Sequence, residues 1–273
     1  MNQTRTRLRF LRTASDRRRR RGVSLLPSLF TMGNMFCGYA CIVYAMRGEL
    51  EIAALFIGFA IVLDMLDGRI ARLTGTTSDF GAEFDSLADV VSFGIAPAIL
   101  SLAWGLGPLG RLGWAAGFLF VAAAAMRLAR FNIQNAAEDK RYFLGLPSPP
   151  AAGIPAATVF AYPVGITDYP TALLALTMVL VPALLMVSTV RFRSFKTIDL
   201  RARRPYTVLF LVAAALTLIT IHPKYVLVVM AYTYLLSPLI GKAVARVRKR
   251  GVRAAPEPPV VEMPLPTDHR QAQ

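Results

Sequence analysis

Cysteine and histidine are almost missing from these 273 residues, with two of each. Cys37 and Cys41 stand one helical turn apart in the first apolar run, so neither a disulfide framework nor a thiolate metal site is indicated. They read as small apolar helix residues. His222 lies in a short loop and His269 in the C-terminal tail, without a partner at ligand spacing, which argues against histidine-centred catalysis. Charge is scarce too. Only 17% of residues are charged against 55% hydrophobic, and the mean hydropathy is +0.49. A soluble domain of this length carries more charge and fewer long apolar runs. The expected fold is therefore all-α, a polytopic transmembrane bundle of about eight helices.

Acidic residues are the scarcer sign, 16 against 31 basic, for a net charge of +15. The basic residues gather in the tails, as in Arg17–Arg21 and Arg246–Arg250, and in the loops between apolar runs. That distribution suits anionic headgroups and topological anchoring, so membrane lipids are the expected partner and nucleic acid is not. Three segments follow. Residues 1–22 form a basic cytoplasmic tail, 23–245 a transmembrane catalytic domain, and 246–273 a basic and then proline-rich disordered tail. The run from Leu25 lacks a small-x-small cleavage site and is read as a retained first helix, not a signal peptide.

Helices are expected at roughly 25–46, 52–73, 84–105, 110–131, 150–166, 171–190, 206–221 and 224–242, the fifth and seventh being short for a span of roughly 20 residues. With the amino terminus in the cytoplasm, the outer loops hold only Arg47, Arg111 and Lys224. The inner ones hold Lys140, Arg141, Arg191, Arg193, Lys196, Arg201, Arg203 and Arg204 besides both tails, an asymmetry that fixes orientation.

Four aspartates interrupt this apolar background. The second run ends Asp64-Met-Leu-Asp67-Gly68-Arg69-Ile70-Ala71-Arg72, and after eight residues the third opens Gly81-Ala-Glu83-Phe-Asp85-Ser-Leu-Ala-Asp89. Asp64, Asp67, Gly68, Ala71 and Arg72 share one helical face, and so do Gly81, Asp85 and Asp89. A tight hairpin places both faces together near the inner interface. The small residues there allow either close helix packing or room for a ligand. Carboxylates near hydrocarbon pair, line a polar cavity or hold a cation. Four of them suit two hard cations such as Mg²⁺ or Mn²⁺, which prefer oxygen ligands and bridge to phosphates. Arg72 would bind a phosphate or neutralise Asp64 or Asp67.

The pattern D-x2-D-G-x2-A-R-x8-G-x3-D-x3-D resembles the signature of the CDP-alcohol phosphatidyltransferases, integral membrane enzymes that move a phosphatidyl group from a CDP-linked lipid to an alcohol and release CMP. The resemblance implies that Asp64, Asp67 and Asp85 bind one metal ion and Asp64, Asp85 and Asp89 a second. It implies that Asp89 accepts the proton of the attacking hydroxyl. Gly68, Arg72 and Ser78 would contact the cytidine diphosphate portion, with Gly81 and Thr31 beside it. Ser28, Thr31 and Asn34 share a face that reaches the nucleotide or makes interhelical hydrogen bonds.

The acceptor is read from weaker segments. Leu26–Gly38, Met126–Asn132 and Tyr142–Gly153 resemble the membrane-type phosphatidylserine synthases of that family, a likeness that covers most of residues 23–242. It implies CDP-diacylglycerol and L-serine as substrates, a homodimer, and a bacterial-type inner membrane with the site facing the cytoplasm. Arg127 and Arg130 are either interfacial anchors or ligands for the serine carboxylate, with Asn132 adding a hydrogen bond. Glycerol 3-phosphate or inositol phosphate as acceptor is the near alternative. A cation transporter is the distant one, disfavoured because the aspartates gather at one interface and no repeat is evident.

Overall fold

The computed structural model describes residues 28–74, 79–134, 142–193, 210, 213 and 217–253. Both tails fall largely outside this set, as do Ser78 and the side chain of Arg72. Helix α1 spans Ser28–Met46 and α2 spans Leu50–Thr74. The turn between them closes on Gly48, whose positive φ of 77° suits the left-handed position after a helix end. Helix α3 begins at Asp79, is α-helical to Asp89, and widens into a π-helix over Val90–Ile95. It returns to α over Ala96–Ser101, widens again over Leu102–Leu106, and ends in a 3-10 turn, Gly107–Leu109.

Helix α4 (Arg111–Gln134) follows after Gly110. Helix α5 (Ser148–Ala161) starts behind Pro147, as the proline cluster there suggests, and α6 (Tyr169–Val187) is capped by Asp168, which accepts from the Thr171 amide at 2.9 Å. A seventh helix, α7, is described at 210, 213 and 217–221, and α8 covers Pro223–Arg253. The chain divides into one compact unit that ends at Pro238 and another, Leu239–Gln273, described as helix to Arg253.

The helical architecture matches the sequence expectation, and the differences have local causes. Helix α3 starts at Asp79, five residues before the expected position. Helix α5 stops at Ala161 because Tyr162 precedes Pro163, and a residue before proline is pushed out of helical geometry. Helix α8 continues past the expected 242 through residues rich in Ala, Lys and Arg, all good helix formers. Two short strands were not expected. Strands β1 (Tyr142–Leu144) and β2 (Arg191–Arg193) pair antiparallel, Tyr142 opposite Arg193. Gly145 leaves β1 with φ 79°, and a Cβ there would meet the Met186 carbonyl at 2.4 Å.

Among the described residues, four helical stretches are long and apolar enough to cross a membrane: Ser28–Met46, Phe80–Leu109, Arg111–Ile133 and Tyr169–Val187. Helix α2 has the length, 25 residues, but carries the acidic motif in its second half. Large apolar side chains such as Phe36, Phe59, Trp114 and Phe118 face outward, as lipid-facing residues must. Inside, α4 packs on α6 and α2 on α5. The core centres on Ile57, Phe93, Leu100, Phe120 and Ile154, with many alanines that let helices approach closely.

Candidate active site

Helices α2 and α3 run antiparallel, so the second half of one faces the first turns of the other. Asp64 and Asp67 lie one turn apart on α2, Asp85 and Asp89 one turn apart on α3. The hairpin brings a carboxylate oxygen from each of Asp64, Asp85 and Asp89 within 4.8 Å of one another. Asp89 is buried, and Asp85 keeps a buried Oδ1 with no hydrogen-bond partner among the described residues. Like charges this close repel unless a cation or protons intervene. An all-oxygen donor set with an unsatisfied carboxylate oxygen fits a hard divalent cation.

Asp67 is placed differently. It is buried and accepts a short hydrogen bond from the hydroxyl of Thr31 on α1. It stands outside the group of three mutually close carboxylates. Helix α1 reaches the site again one turn on, where the fully buried Asn34 donates through Nδ2 to Asp89 Oδ1 at 3.2 Å. The Asn34 carbonyl accepts in turn from Ser92 Oγ at 2.9 Å. This crossing is tight because Gly38 faces Ser92: a Cβ there would lie 2.8 Å from the Ser92 Cα. On α1, Thr31 and Asn34 thus both make interhelical hydrogen bonds to motif aspartates.

Arg127, on α4, approaches the acidic cluster from the other side. Its guanidinium is close enough to feel the charges of Asp64 and Asp89, and Tyr234 of α8 is also within electrostatic reach. Nη1 donates to Ser148 Oγ at 2.6 Å, at the first turn of α5. Its Nε is buried without a hydrogen-bond partner among the described residues. Arg130 is half-buried one turn further, and Asn132 donates to Ser86 Oγ at 3.0 Å, tying α4 to α3. Gly68 is exposed and Gly81 half-buried beside the carboxylates.

Sequence reading singled out the four aspartates and Arg127. It did not connect Arg127 to Ser148 or Tyr234, nor Asn34 to Asp89. The one available signal for the second pair was polar residues on one face of α1, with Ser92 three residues after Asp89 at the start of the apolar part of α3.

A family model described as CDP-alcohol phosphatidyltransferase matches residues 24–190. A CDP-diacylglycerol–serine O-phosphatidyltransferase of Helicobacter pylori (strain 26695) is 37% identical over 221 residues, 79% of this chain and 90% of that relative. One of Mycobacterium leprae is 39% identical over 142 residues, 50% of this chain and 47% of the relative. An archaetidylserine synthase of Methanothermobacter thermautotrophicus is 34% identical over 169 residues, 61% of this chain and 69% of the relative.

Proposed function

The chain belongs to the CDP-alcohol phosphatidyltransferase family, and on that premise we propose that it transfers the phosphatidyl group of CDP-diacylglycerol to the hydroxyl of L-serine, giving phosphatidylserine and CMP. The observation that carries the chemistry is the convergence of Asp64, Asp85 and Asp89 within 4.8 Å at the family's motif positions. The serine assignment rests on the relatives just described and on a partly buried arginine beside that cluster.

Asp64, Asp85 and Asp89 would hold divalent metal, with Asp67 completing a site for a second ion from its position on Thr31. The chemistry supplied by Mg²⁺ or Mn²⁺ bound there is neutralisation of the diphosphate and of the departing phosphate of CMP. Gly68, Gly81, Arg72 and Ser78 bind the cytidine diphosphate portion. Asp89 takes the proton of the serine hydroxyl as its oxygen attacks phosphorus; the new P–O bond forms while the bond to CMP breaks. Asn34 keeps the Asp89 carboxylate oriented for that transfer. Arg127, with Arg130 behind it, meets the serine carboxylate, and Ser148 holds the guanidinium in place.

The site faces the cytoplasm of a bacterial-type inner membrane, which leaves the lipid tails in the bilayer while serine arrives from water. Family likeness makes a homodimer the expected assembly. The testing experiment incubates purified protein with CDP-diacylglycerol, Mg²⁺ or Mn²⁺, and one alcohol at a time. CMP release with serine, abolished by EDTA and restored by either ion, is expected. Release with glycerol 3-phosphate or inositol phosphate but not with serine would overturn the assignment.

A further inference from the structure

Asn34 holds the Asp89 carboxylate with little slack. Its Nδ2 stands 3.2 Å from Asp89 Oδ1, at the long end of the range for an N–H···O bond. The other end of the amide gives no help, since the buried Oδ1 has no hydrogen-bond partner among the described residues. Only two side-chain torsions separate the amide from its own Cα. Where the Asn34 backbone sits therefore decides whether the bond to Asp89 is made.

That backbone is fixed from α3. Ser92 is fully buried, and its hydroxyl donates to the Asn34 carbonyl at 2.9 Å. The hydroxyl fits because residue 38 has no side chain: a Cβ on Gly38 would lie 2.6 Å from Ser92 Oγ. Ser92 is carried in the π-helical stretch Val90–Ile95, which opens directly after Asp89 and closes with the Ala96 amide on the Val91 carbonyl. Such stretches are rare and are frequent at functional sites. A serine hydroxyl within a helix commonly bonds the carbonyl four residues back. Ser101, also buried on α3, does so, donating to Pro97 at 2.7 Å. Ser92 instead reaches across to the residue that holds Asp89.

We propose that Ser92 is a positioning residue for proton transfer: through the Asn34 backbone it keeps the Asn34 amide on Asp89. The inference rests on Asp89 as the proton acceptor, the role proposed for it in phosphatidyl transfer. Neither substrate is bound through this link, so its loss falls on turnover. A drift of a few tenths of an ångström takes the amide out of hydrogen-bond range, and misplacing a catalytic group by about 1 Å costs on the order of 100-fold.

The test follows serine-dependent CMP release by the full chain with CDP-diacylglycerol and Mn²⁺. The kcat is taken per binding site for a labelled CDP-lipid, so that unfolded protein is not counted. Ser92→Ala is expected to lower kcat about tenfold to 100-fold, with both KM values within about twofold of wild type. Ser92→Cys, which keeps a weaker donor, should fall between. Ser101→Ala removes an equally buried hydroxyl from the same helix and should leave kcat within about twofold. In an Asn34→Ala background, Ser92→Ala should cost no more than about twofold further, because the amide it positions is gone. A Ser92→Ala kcat near wild type, an equal loss in Ser101→Ala, or losses that multiply in the double variant overturns the inference. Near-normal turnover in Asp89→Asn overturns instead the underlying assignment of the base.

Discussion

Asp89 is held from two sides, by the Asn34 amide at 3.2 Å and by the charge of Arg127. Removing its proton-accepting ability without removing its bulk separates chemistry from binding. Asp89→Asn is expected to abolish CMP release while retaining most nucleotide affinity, measured by binding of a labelled CDP-lipid; near-normal turnover would exclude Asp89 as the base. Thr31→Val tests the other α1 contact. It keeps the shape of the side chain and deletes the hydroxyl that Asp67 accepts from. A hydrogen bond to a charged group is worth about 1.5–3 kcal/mol, so turnover should fall about tenfold or more. The Mg²⁺ concentration for half-maximal rate should rise, and a metal titration reads both. At this scale the motif residues were legible because their spacing is local, 64 to 89. Their partners were not, because Asn34 and Asp89 lie 55 positions apart and Arg127 and Ser148 lie 21 apart on different helices.

Helices were legible as elements because apolar runs of membrane length announce themselves. Their internal irregularities were not. The π-helical stretch Val90–Ile95 begins directly after Asp89, and no local signal in Val-Val-Ser-Phe-Gly-Ile marks it. The β1–β2 pair joins three-residue segments nearly fifty positions apart, too short for any alternation to show. Crossings between elements are testable through their glycines. Gly38→Ala drives a methyl toward the Ser92 backbone at 2.8 Å and should destabilise the protein by about 1–3 kcal/mol. Gly58, on the exposed face of α2, has nothing within 4 Å of an added Cβ. Gly58→Ala should instead be neutral or stabilising by up to about 1 kcal/mol. Thermal unfolding in detergent compares the two, and equal effects would contradict the tight α1–α3 crossing.

For the whole molecule, the distribution of basic residues predicts which ends face which side. The only native cysteines, Cys37 and Cys41, are buried, so a new surface cysteine reports alone. Arg47→Cys, in the turn after α1, should react with a membrane-impermeant maleimide on intact cells. Ile133→Cys, exposed at the far end of α4, should react only after the membrane is opened. The reverse pattern would place the aspartates on the outer face and remove the cytoplasmic route for serine.

Synthesis order gives the α1 contacts another significance. The chain emerges amino terminus first, so Thr31 and Asn34 are already within the bilayer when the hairpin bearing Asp67 and Asp89 follows. Asp67 and Asp89 then have a hydroxyl and an amide donor on α1 to pair with instead of lipid alone. Were α1 in place first, its two donors would be the groups that Asp67 and Asp89 meet before any substrate or metal had reached the protein.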